Sequence, residues 1–336
     1  MNARRSILID TDIAFGSPKA DADDVLALIL AMSIPGLEIA AISPVGGNVS
    51  PDRASRNLHG FLSRIGMSSI PHAWSSAMPL DPRSRVKAEV WDRAAEDMIV
   101  RPEDAPKIDS VDLILKTLAE ATAPLTIVAI GPLTNLGMAL AKEPAVAAKI
   151  GEIVMMGGSR EVRGLHGLAE FNIWVDPAAA AIVFGSGLPI RVFGLDVTKK
   201  RKVLPQDLAP WAVSDSPLVR DIHESVLGFM RYKAELFGQD YRVGYFHDAF
   251  PIAYFHDSGL FRFNPYGIEV GLDDDEAYGV TRIDFGPADG PHLFAVDVDD
   301  AALTEWVIRT IAESPACLAG HEIRVPGSRD AASPNI

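Results

Sequence analysis

The sequence predicts an open, mostly parallel, Rossmann-like α/β sheet that is flanked by helices and carries a few antiparallel strands near the C-terminus. Two observations predict this fold class. Short apolar runs of strand length alternate with longer segments whose apolar residues recur at helical spacing, as in a parallel sheet covered by helices. After Asp257 the runs become shorter and alternate between apolar and polar residues, which indicates antiparallel strands.

The predicted elements follow one another in a regular order. Parallel strands are predicted at 7–9, 37–42, 125–130, 153–156 and 190–193. Helices are predicted at 24–33, 50–64, 110–121, 177–184 and 217–237. Antiparallel strands are predicted at 266–272, 279–285 and 293–298, before a closing helix at 300–312. We find no linker between them, so we expect one domain over 1–318 and a partly disordered tail over 319–336.

The composition restricts the possible partners and the compartment. With 31 basic and 45 acidic side chains the formal net charge is −14, which disfavours nucleic-acid polymers and anionic membranes and leaves a small molecule as the expected partner. Cys317 is the only cysteine, which excludes an internal disulfide and a cysteine-based zinc cluster. We see neither a signal-peptide pattern nor an apolar run long enough to span a membrane, so we expect a cytoplasmic protein.

Two pairs of carboxylates lie between the first predicted strand and the first predicted helix. They are Asp10, Asp12, Asp23 and Asp24. Carboxylates this close repel one another unless a cation or hydrogen bonds keep them charged, and a set of oxygen ligands suits calcium or magnesium better than zinc. We expect both pairs on the connecting loop. The alternative is structural, because such residues also satisfy loop amides or cap the helix that follows.

Polar and glycine-rich segments follow three further strands at the point where each strand ends. These segments are 46–48, 131–135 and 157–158. The carboxyl ends of parallel strands meet at one edge of an open sheet, where ligands bind. The sequence therefore predicts a single site that collects residues from distant parts of the chain.

Short motifs in these segments resemble the inosine-uridine preferring nucleoside hydrolases. The motifs occur in the family's order, as DTD at 10–12 with DD at 23–24, VGGN at 45–48, GPLTN at 131–135, MMGG at 155–158, AEFN at 169–172 and HD at 247–248. The resemblance implies a calcium-dependent N-ribohydrolase that splits purine or pyrimidine ribonucleosides into ribose and free base. It also implies a homodimer or homotetramer.

The resemblance also assigns a role to individual residues. The implied calcium ligands are Asp12, Asp24, Asp248 and the backbone carbonyl of Ile130, with Asp10 supporting them. The residues implied to bind ribose hydroxyls are Asp23, Asn48, Glu170 and Asn172, while Met156 lines the ribose pocket. His247 is implied to help the base depart, and Asp12 to accept a proton from a calcium-activated water. The sugar passes through an oxocarbenium-like transition state, with inversion at the anomeric carbon.

Each later motif has a structural alternative. Glu170 and Asn172 taken alone are typical loop polar groups, and GPLTN taken alone is typical of a strand-to-helix turn capped by Thr134. His247 and Asp248 precede an apolar segment, which is also an N-cap pattern.

Two other functional classes remain open at this stage. A haloacid-dehalogenase-type phosphatase would use Asp10 and Asp12 as its nucleophile and acid. A non-catalytic nucleoside- or sugar-binding protein would share the fold.

Three features depart from the family pattern. The usual short link between the acidic pairs is here ten residues long, at 13–22. Gly164, with His166 nearby, stands where the family often has an asparagine that binds the ribose 5′-hydroxyl. The segment 75–92 replaces an expected His-Gly segment. The 5′ contact and the recognition of the base are therefore expected to differ from those of the family.

Overall fold

The structure is a computed structural model that describes residues 5–16, 19, 21–81, 83, 105–164, 167–239, 242–272, 277–284 and 292–315. Its strands are β1 (Arg5–Thr11), β2 (Leu37–Pro44), β3 (Leu125–Ala129), β4 (Ile150–Met156), β5 (Ile190–Phe193), β6 (Phe261–Val270), β7 (Thr281–Asp284) and β8 (His292–Val298). The expected tail at 319–336 lies outside the described residues, so the proposed domain limits stay a prediction.

These strands form one sheet in the order β2-β1-β3-β4-β5-β8-β6-β7. Strands β1 to β5 pair in parallel, and β8 continues this part by pairing in parallel with β5. Strand β6 is antiparallel to both β8 and β7. The predicted fold class is confirmed, with the refinement that β8 belongs to both the parallel and the antiparallel part.

Helices of very different length cover this sheet. They are α1 (Asp23–Ser33), α2 (Pro51–Arg64), α3 (Ser110–Glu120), α4 (Thr134–Lys142), α5 (Phe171–Val175), α6 (Pro177–Phe184), α7 (Leu195–Thr198), α8 (Ala209–Ala212), α9 (Pro217–Phe237), α10 (Ala249–His256) and α11 (Asp300–Glu313). Short 3₁₀ helices occupy Pro144–Lys149, Pro205–Leu208 and Ser258–Leu260. Among the described residues, no helix is long and apolar enough to cross a bilayer.

The two faces of the sheet carry separate apolar cores. In β1, Ile7 and Ile9 join the cluster that contains α1, α9 and α10, while Leu8 points to the cluster that contains α3 and α4. Both faces of this strand are therefore buried, because successive side chains of a strand point to opposite faces. A rigid central strand of this kind holds the residues that follow it in fixed positions.

Candidate active site

The carboxyl ends of β1, β2 and β3 lie side by side and hold Asp12 in a narrow space. The Ile130 amide donates to the Asp10 carbonyl at 2.9 Å, which continues the pairing of β3 with β1. A Cβ atom on Gly47 would lie 2.2 Å from Asp12 Oδ2, and one on Gly131 would lie 2.9 Å from the Asp12 backbone nitrogen. Glycine at these positions lets the neighbouring backbone approach the carboxylate closely.

Asp12 belongs to a group of buried carboxylates, here called the acidic cluster, that also contains Asp10, Asp23, Asp24 and Asp248. Its side chain is buried, and its Oδ2 accepts a hydrogen bond of 2.7 Å from the backbone amide of Asn48. Burial, followed by the charge of Asp24, raises the pKa of Asp12 well above its usual value. Asn48, which the resemblance predicts to bind ribose, is half-buried. Its backbone amide also positions Asp12.

Asp23 and Asp24 occupy the first turn of α1. The prediction that both lie on the loop is therefore wrong, because α1 begins at Asp23. Neither caps the helix: its N-cap position is Ala22, and no side chain makes the capping hydrogen bond. Asp24 Oδ1 instead accepts a hydrogen bond from the Thr11 hydroxyl, and burial raises the pKa of Asp24 to about 7.

Asp248 reaches the same cluster from α10. It stands at the N-cap position of that helix, but its side chain makes no capping hydrogen bond, so the capping alternative is wrong for this residue. Its backbone amide donates to Asp23 Oδ2 at 3.0 Å. Burial raises the pKa of Asp248 well above its usual value, and the charges of Asp23, Asp24 and Asp12 raise it further.

The buried oxygen atoms of this cluster fit a hard cation. Asp10 Oδ2, Asp23 Oδ1 and Asp24 Oδ2 are buried without a hydrogen-bond partner among the described residues. Within the described part of the chain, no group of three His, Cys, Asp or Glu side chains is arranged to hold a metal ion by itself. A cation would offset the mutual repulsion, and oxygen ligands suit calcium or magnesium.

Asp10 supports the cluster from inside the sheet. It pairs in register with Ser43 of β2, whose hydroxyl donates to Asp10 Oδ1, and Asn135 Nδ2 donates to the same oxygen at 2.8 Å. Asn135 also donates to the Pro44 carbonyl at 2.9 Å. Burial raises the pKa of Asp10 to about 7. The residue is 0% exposed, and its hydrogen bonds from Ser43 and Asn135 fit a supporting role.

Asn172 and Met156 lie on the other side of the strand ends. Asn172 Nδ2 donates to the carbonyl of Ile130 at 3.1 Å and to the carbonyl of Met156 at 3.2 Å, and it approaches Met156 Sδ at 3.6 Å. The amide thus ties the end of β4 to the Ile130 carbonyl that the sequence predicts as a metal ligand.

Glu170 is committed to the backbone. It is the N-cap residue of α5, and its Oε2 accepts from the amides of Gly158 and Asn172, both at 3.0 Å, and of Ile173 at 3.4 Å. The structural alternative for Glu170 therefore describes these contacts well. Burial raises the pKa of Glu170 to about 7. Thr134, by contrast, does not cap α4, because its hydroxyl donates to Asp176 Oδ2 at 2.8 Å.

The sequence matches a known protein family over most of its length. The family model for the inosine-uridine preferring nucleoside hydrolases matches residues 7–305. The chain belongs to this family. Like other members, the enzyme is an N-glycosyl hydrolase, and it cleaves the N-glycosidic bond of ribonucleosides.

Relatives and solved structures agree with this assignment. The pyrimidine-specific ribonucleoside hydrolase RihA of Enterobacter sp. (strain 638) is 33% identical over 303 residues, which cover 87% of this chain and 95% of the relative. The RihA of Photobacterium profundum is 37% identical over 231 residues, covering 68% of this chain and 72% of the relative.

Among solved structures, the plant nucleoside hydrolase PpNRh1 superposes with a TM-score of 0.79 at 26% identity, covering 92% of this chain and 99% of that one. A purine-preferring ribonucleoside hydrolase from Gardnerella vaginalis gives a TM-score of 0.80 at 22% identity, covering 94% and 100% of the two chains, and supports the fold.

His247 has neighbours that the short sequence motifs did not predict. His247 Nδ1 lies 2.7 Å from Thr198 Oγ1, and its ring centroid lies 5.3 Å from that of Tyr245. Burial and the nearby charges of Lys233 and Lys199 lower the pKa of His247 to about 3. No short motif marks these neighbours, because they come from α9, from the end of α7 and the residue after it, and from the segment that follows α9.

Two of the departures from the family pattern lie partly within the described residues. Gly164 pairs with Gly167, donating to its carbonyl at 2.8 Å, and a Cβ atom on Gly164 would lie 3.1 Å from Leu195 Cδ1. His166 and most of 82–104 lie outside the described residues. At 75–81 the chain is anchored to the start of α6 by the Leu80 amide, which donates to Asp176 Oδ2 at 2.9 Å.

Proposed function

We propose that the enzyme hydrolyses pyrimidine ribonucleosides with the aid of one calcium ion, held by Asp12, Asp24, Asp248 and the carbonyl oxygen of Ile130. The observation that carries this proposal is the convergence of these three buried carboxylates. Burial and then the charge of Asp24 raise the pKa of Asp12, and burial and the charges of neighbouring carboxylates, Asp24 and Asp12 among them, raise that of Asp248. When bound, calcium supplies a positive charge that orients the sugar diol and makes a nearby water a better nucleophile.

The residues of the chain then divide the work on the sugar. Asp12 accepts the proton that the attacking water loses, since its buried carboxylate is held in place by the Asn48 amide beside the proposed ion. The surrounding carboxylates stabilise the positive charge that develops on the ribose ring. The water adds to the anomeric carbon opposite the departing base, so the configuration there is inverted.

The ribose hydroxyls are bound by a further group of side chains. We assign this role to Asp23, Asn48, Glu170 and Asn172, with Met156 lining the ribose pocket. Asp23 and Asn172 are the strongest candidates for the 2′,3′-diol, because each lies in hydrogen-bond contact with a proposed ligand residue, Asp248 and Ile130 respectively. Glu170 contributes mainly by fixing the backbone around Gly158 and Asn172.

The preference for pyrimidines is drawn from relatives. The RihA proteins of Enterobacter and Photobacterium are named pyrimidine-specific ribonucleoside hydrolases. We further propose a cytoplasmic homodimer or homotetramer that binds neither nucleic-acid polymers nor membranes. The net charge of −14 supports the last point, because it repels phosphate groups.

A panel of purine and pyrimidine ribonucleosides, assayed for free ribose with calcium present, tests this proposal. Uridine and cytidine should be the best substrates, and Asp12→Asn should abolish turnover. Asp112→Asn is the matched control, because Asp112 is exposed and pairs with Lys142 at 2.7 Å. Better turnover of inosine than of uridine would overturn the base preference, and an active Asp12→Asn would overturn the mechanism.

A further inference from the structure

The long link between the two acidic pairs reaches the long helix α9. Lys19, in this link, places its Nζ 5.5 Å from the ring centroid of Tyr232. Asp21, near the end of the link, acts on the next residue of α9: burial lowers the pKa of Lys233, and the charge of Asp21 opposes this change. The extra residues of this chain therefore join the acidic side of the site to α9.

Lys233 lies next to the site and close to two aromatic rings. Its Nζ is 4.7 Å from the ring centroid of Phe229 and 5.9 Å from that of Tyr245. Tyr245 in turn contacts the ring of His247, the residue before Asp248. Within the described part of the chain, the half-buried ammonium of Lys233 makes no hydrogen bond or ion pair with the protein.

A second ammonium group stands nearby but is already engaged. Lys199 Nζ lies 5.7 Å from the ring centroid of Tyr245 and donates to the carbonyl of Arg163 at 2.9 Å. The charges of Lys199 and Lys233 both act on His247. Positive charge is thus concentrated near the ring of His247, while the next residue, Asp248, belongs to the group of carboxylates that includes Asp12 and Asp24.

This separation of charge matches the charges that bond cleavage produces. When the bond between the anomeric carbon and the base nitrogen breaks, its electron pair stays with the base, so the sugar becomes cationic and the base anionic. Preorganised charges opposite each fragment stabilise the transition state more than the neutral substrate. The carboxylates serve the sugar, and the part of the site around Lys233 is placed to serve the base.

We propose that Lys233 contacts the departing base and selects ribonucleosides whose base leaves as an oxo-substituted anion, such as uracil. The ammonium offsets the negative charge that spreads from the base nitrogen to the neighbouring carbonyl oxygen. Lys233 keeps its proton throughout; water adds to the anomeric carbon and loses one proton, and the released base takes one proton from solvent. This inference rests on the proposed function, because it assumes a ribonucleoside in the site.

Two substrates with different leaving groups test the role of Lys233. Uridine requires stabilisation of its departing base, whereas 4-nitrophenyl β-D-ribofuranoside releases a phenolate that is stable without help. Lys233→Met should lower kcat/KM for uridine by about a hundredfold and for the nitrophenyl riboside by about threefold or less. Lys233→Arg should recover most of the lost activity on uridine.

A matched control lies two residues earlier on the same helix. Arg231 is a half-exposed cation beside Glu224, with 3.9 Å between the charged groups, and Arg231→Met should leave both substrates unaffected. Lys233→Gln, which keeps a polar side chain, provides a second test if Lys233→Met is poorly folded by circular dichroism.

The outcomes separate this inference from the proposed function. Equal losses on both substrates would make Lys233 a structural residue, and no loss on uridine would make it irrelevant; either result overturns the inference while hydrolysis itself stands. Wild-type protein that releases ribose from no ribonucleoside would overturn both.

Discussion

The two sides of the active site differ in charge and in how the chain builds them. The acidic side comes from strand ends and helix starts, where Asp12, Asp24 and Asp248 are buried. Asp12 accepts a hydrogen bond from the Asn48 amide and Asp24 accepts one from the Thr11 hydroxyl. The basic side comes from α9 and from the residues around Tyr245, where Lys233 and Lys199 remain partly exposed. In the proposed mechanism the rigid sheet positions the residues that act on the sugar, while α9 and the segment after it form the side proposed to meet the base.

Loss of an acidic ligand should have the largest effect. Asp248→Asn removes one of the charges that hold the proposed calcium ion, so kcat should fall by about a thousandfold or more for uridine and nitrophenyl riboside alike. Steady-state kinetics at saturating calcium measure this. A loss confined to uridine would show that Asp248 acts on the base and not on the sugar, and would contradict the division of the site into two sides.

The substrate hydroxyls should report on the acidic side as well. Removing the 2′-hydroxyl should cost about a hundredfold or more in kcat/KM, and Asn172→Ala should mimic that loss, because hydrogen bonds to the diol strengthen as the ring becomes cationic. Removing the 5′-hydroxyl should cost about tenfold or less, since Gly164 offers no side chain there. A larger penalty for the 5′-deoxy substrate than for the 2′-deoxy substrate would contradict this assignment.

The sequence predicted the acidic side better than the basic one. Strand ends collect polar residues at one edge of a parallel sheet, and the short motifs there and before α10 included Asp12, Asp24 and Asp248. They did not include Asp21, whose charge adds to the effect of burial in raising the pKa of Asp23. The same reasoning placed α6, β5 and α9 with their observed bounds, and α9 is the one of these with clear helical periodicity. It missed α5, α7 and α8, which are only four or five residues long.

Lys233 could not be found in this way. Its position in α9 follows from helical periodicity, but periodicity does not show which loop approaches that face of the helix. Asn135 was likewise read as part of a turn, although its side chain bonds Asp10 across the sheet. Contacts between distant segments depend on the tertiary packing, which short motifs do not encode.

The pH dependence of stability should reveal the charge imbalance on the acidic side. Burial raises the pKa of Asp10 and Asp24 to about 7 in the folded protein, so without calcium the folded state binds more protons than the unfolded state near pH 6. The resulting stabilisation is complete below the unfolded pKa of about 4 and is lost as pH rises through about 7.

Calcium should replace those protons. The increase in Tm on adding calcium to metal-free protein should therefore be larger at pH 8 than at pH 5.5, by about 4 °C or more, in differential scanning calorimetry. An increase that is the same at both pH values would show that the carboxylates remain charged without the ion.

The smallest effect should come from the support behind the cluster. Asn135→Ala removes the hydrogen bond to Asp10 Oδ1 and leaves the Pro44 carbonyl without this donor, which should lower the free energy of unfolding by about 1–3 kcal/mol. The ratio of activities on uridine and nitrophenyl riboside should not change, because Asn135 lies behind the acidic side. A changed ratio would show that the two sides are coupled through the sheet.

Calcium titration of chelated enzyme tests directly whether hydrolysis requires one calcium ion held by the acidic side. Metal-free protein should release no ribose from uridine, and activity should return in proportion to added calcium until one ion is bound per chain, while Asp248→Asn should need far more calcium. Full activity after exhaustive chelation, or recovery that is the same in Asp248→Asn as in the wild type, would contradict the account.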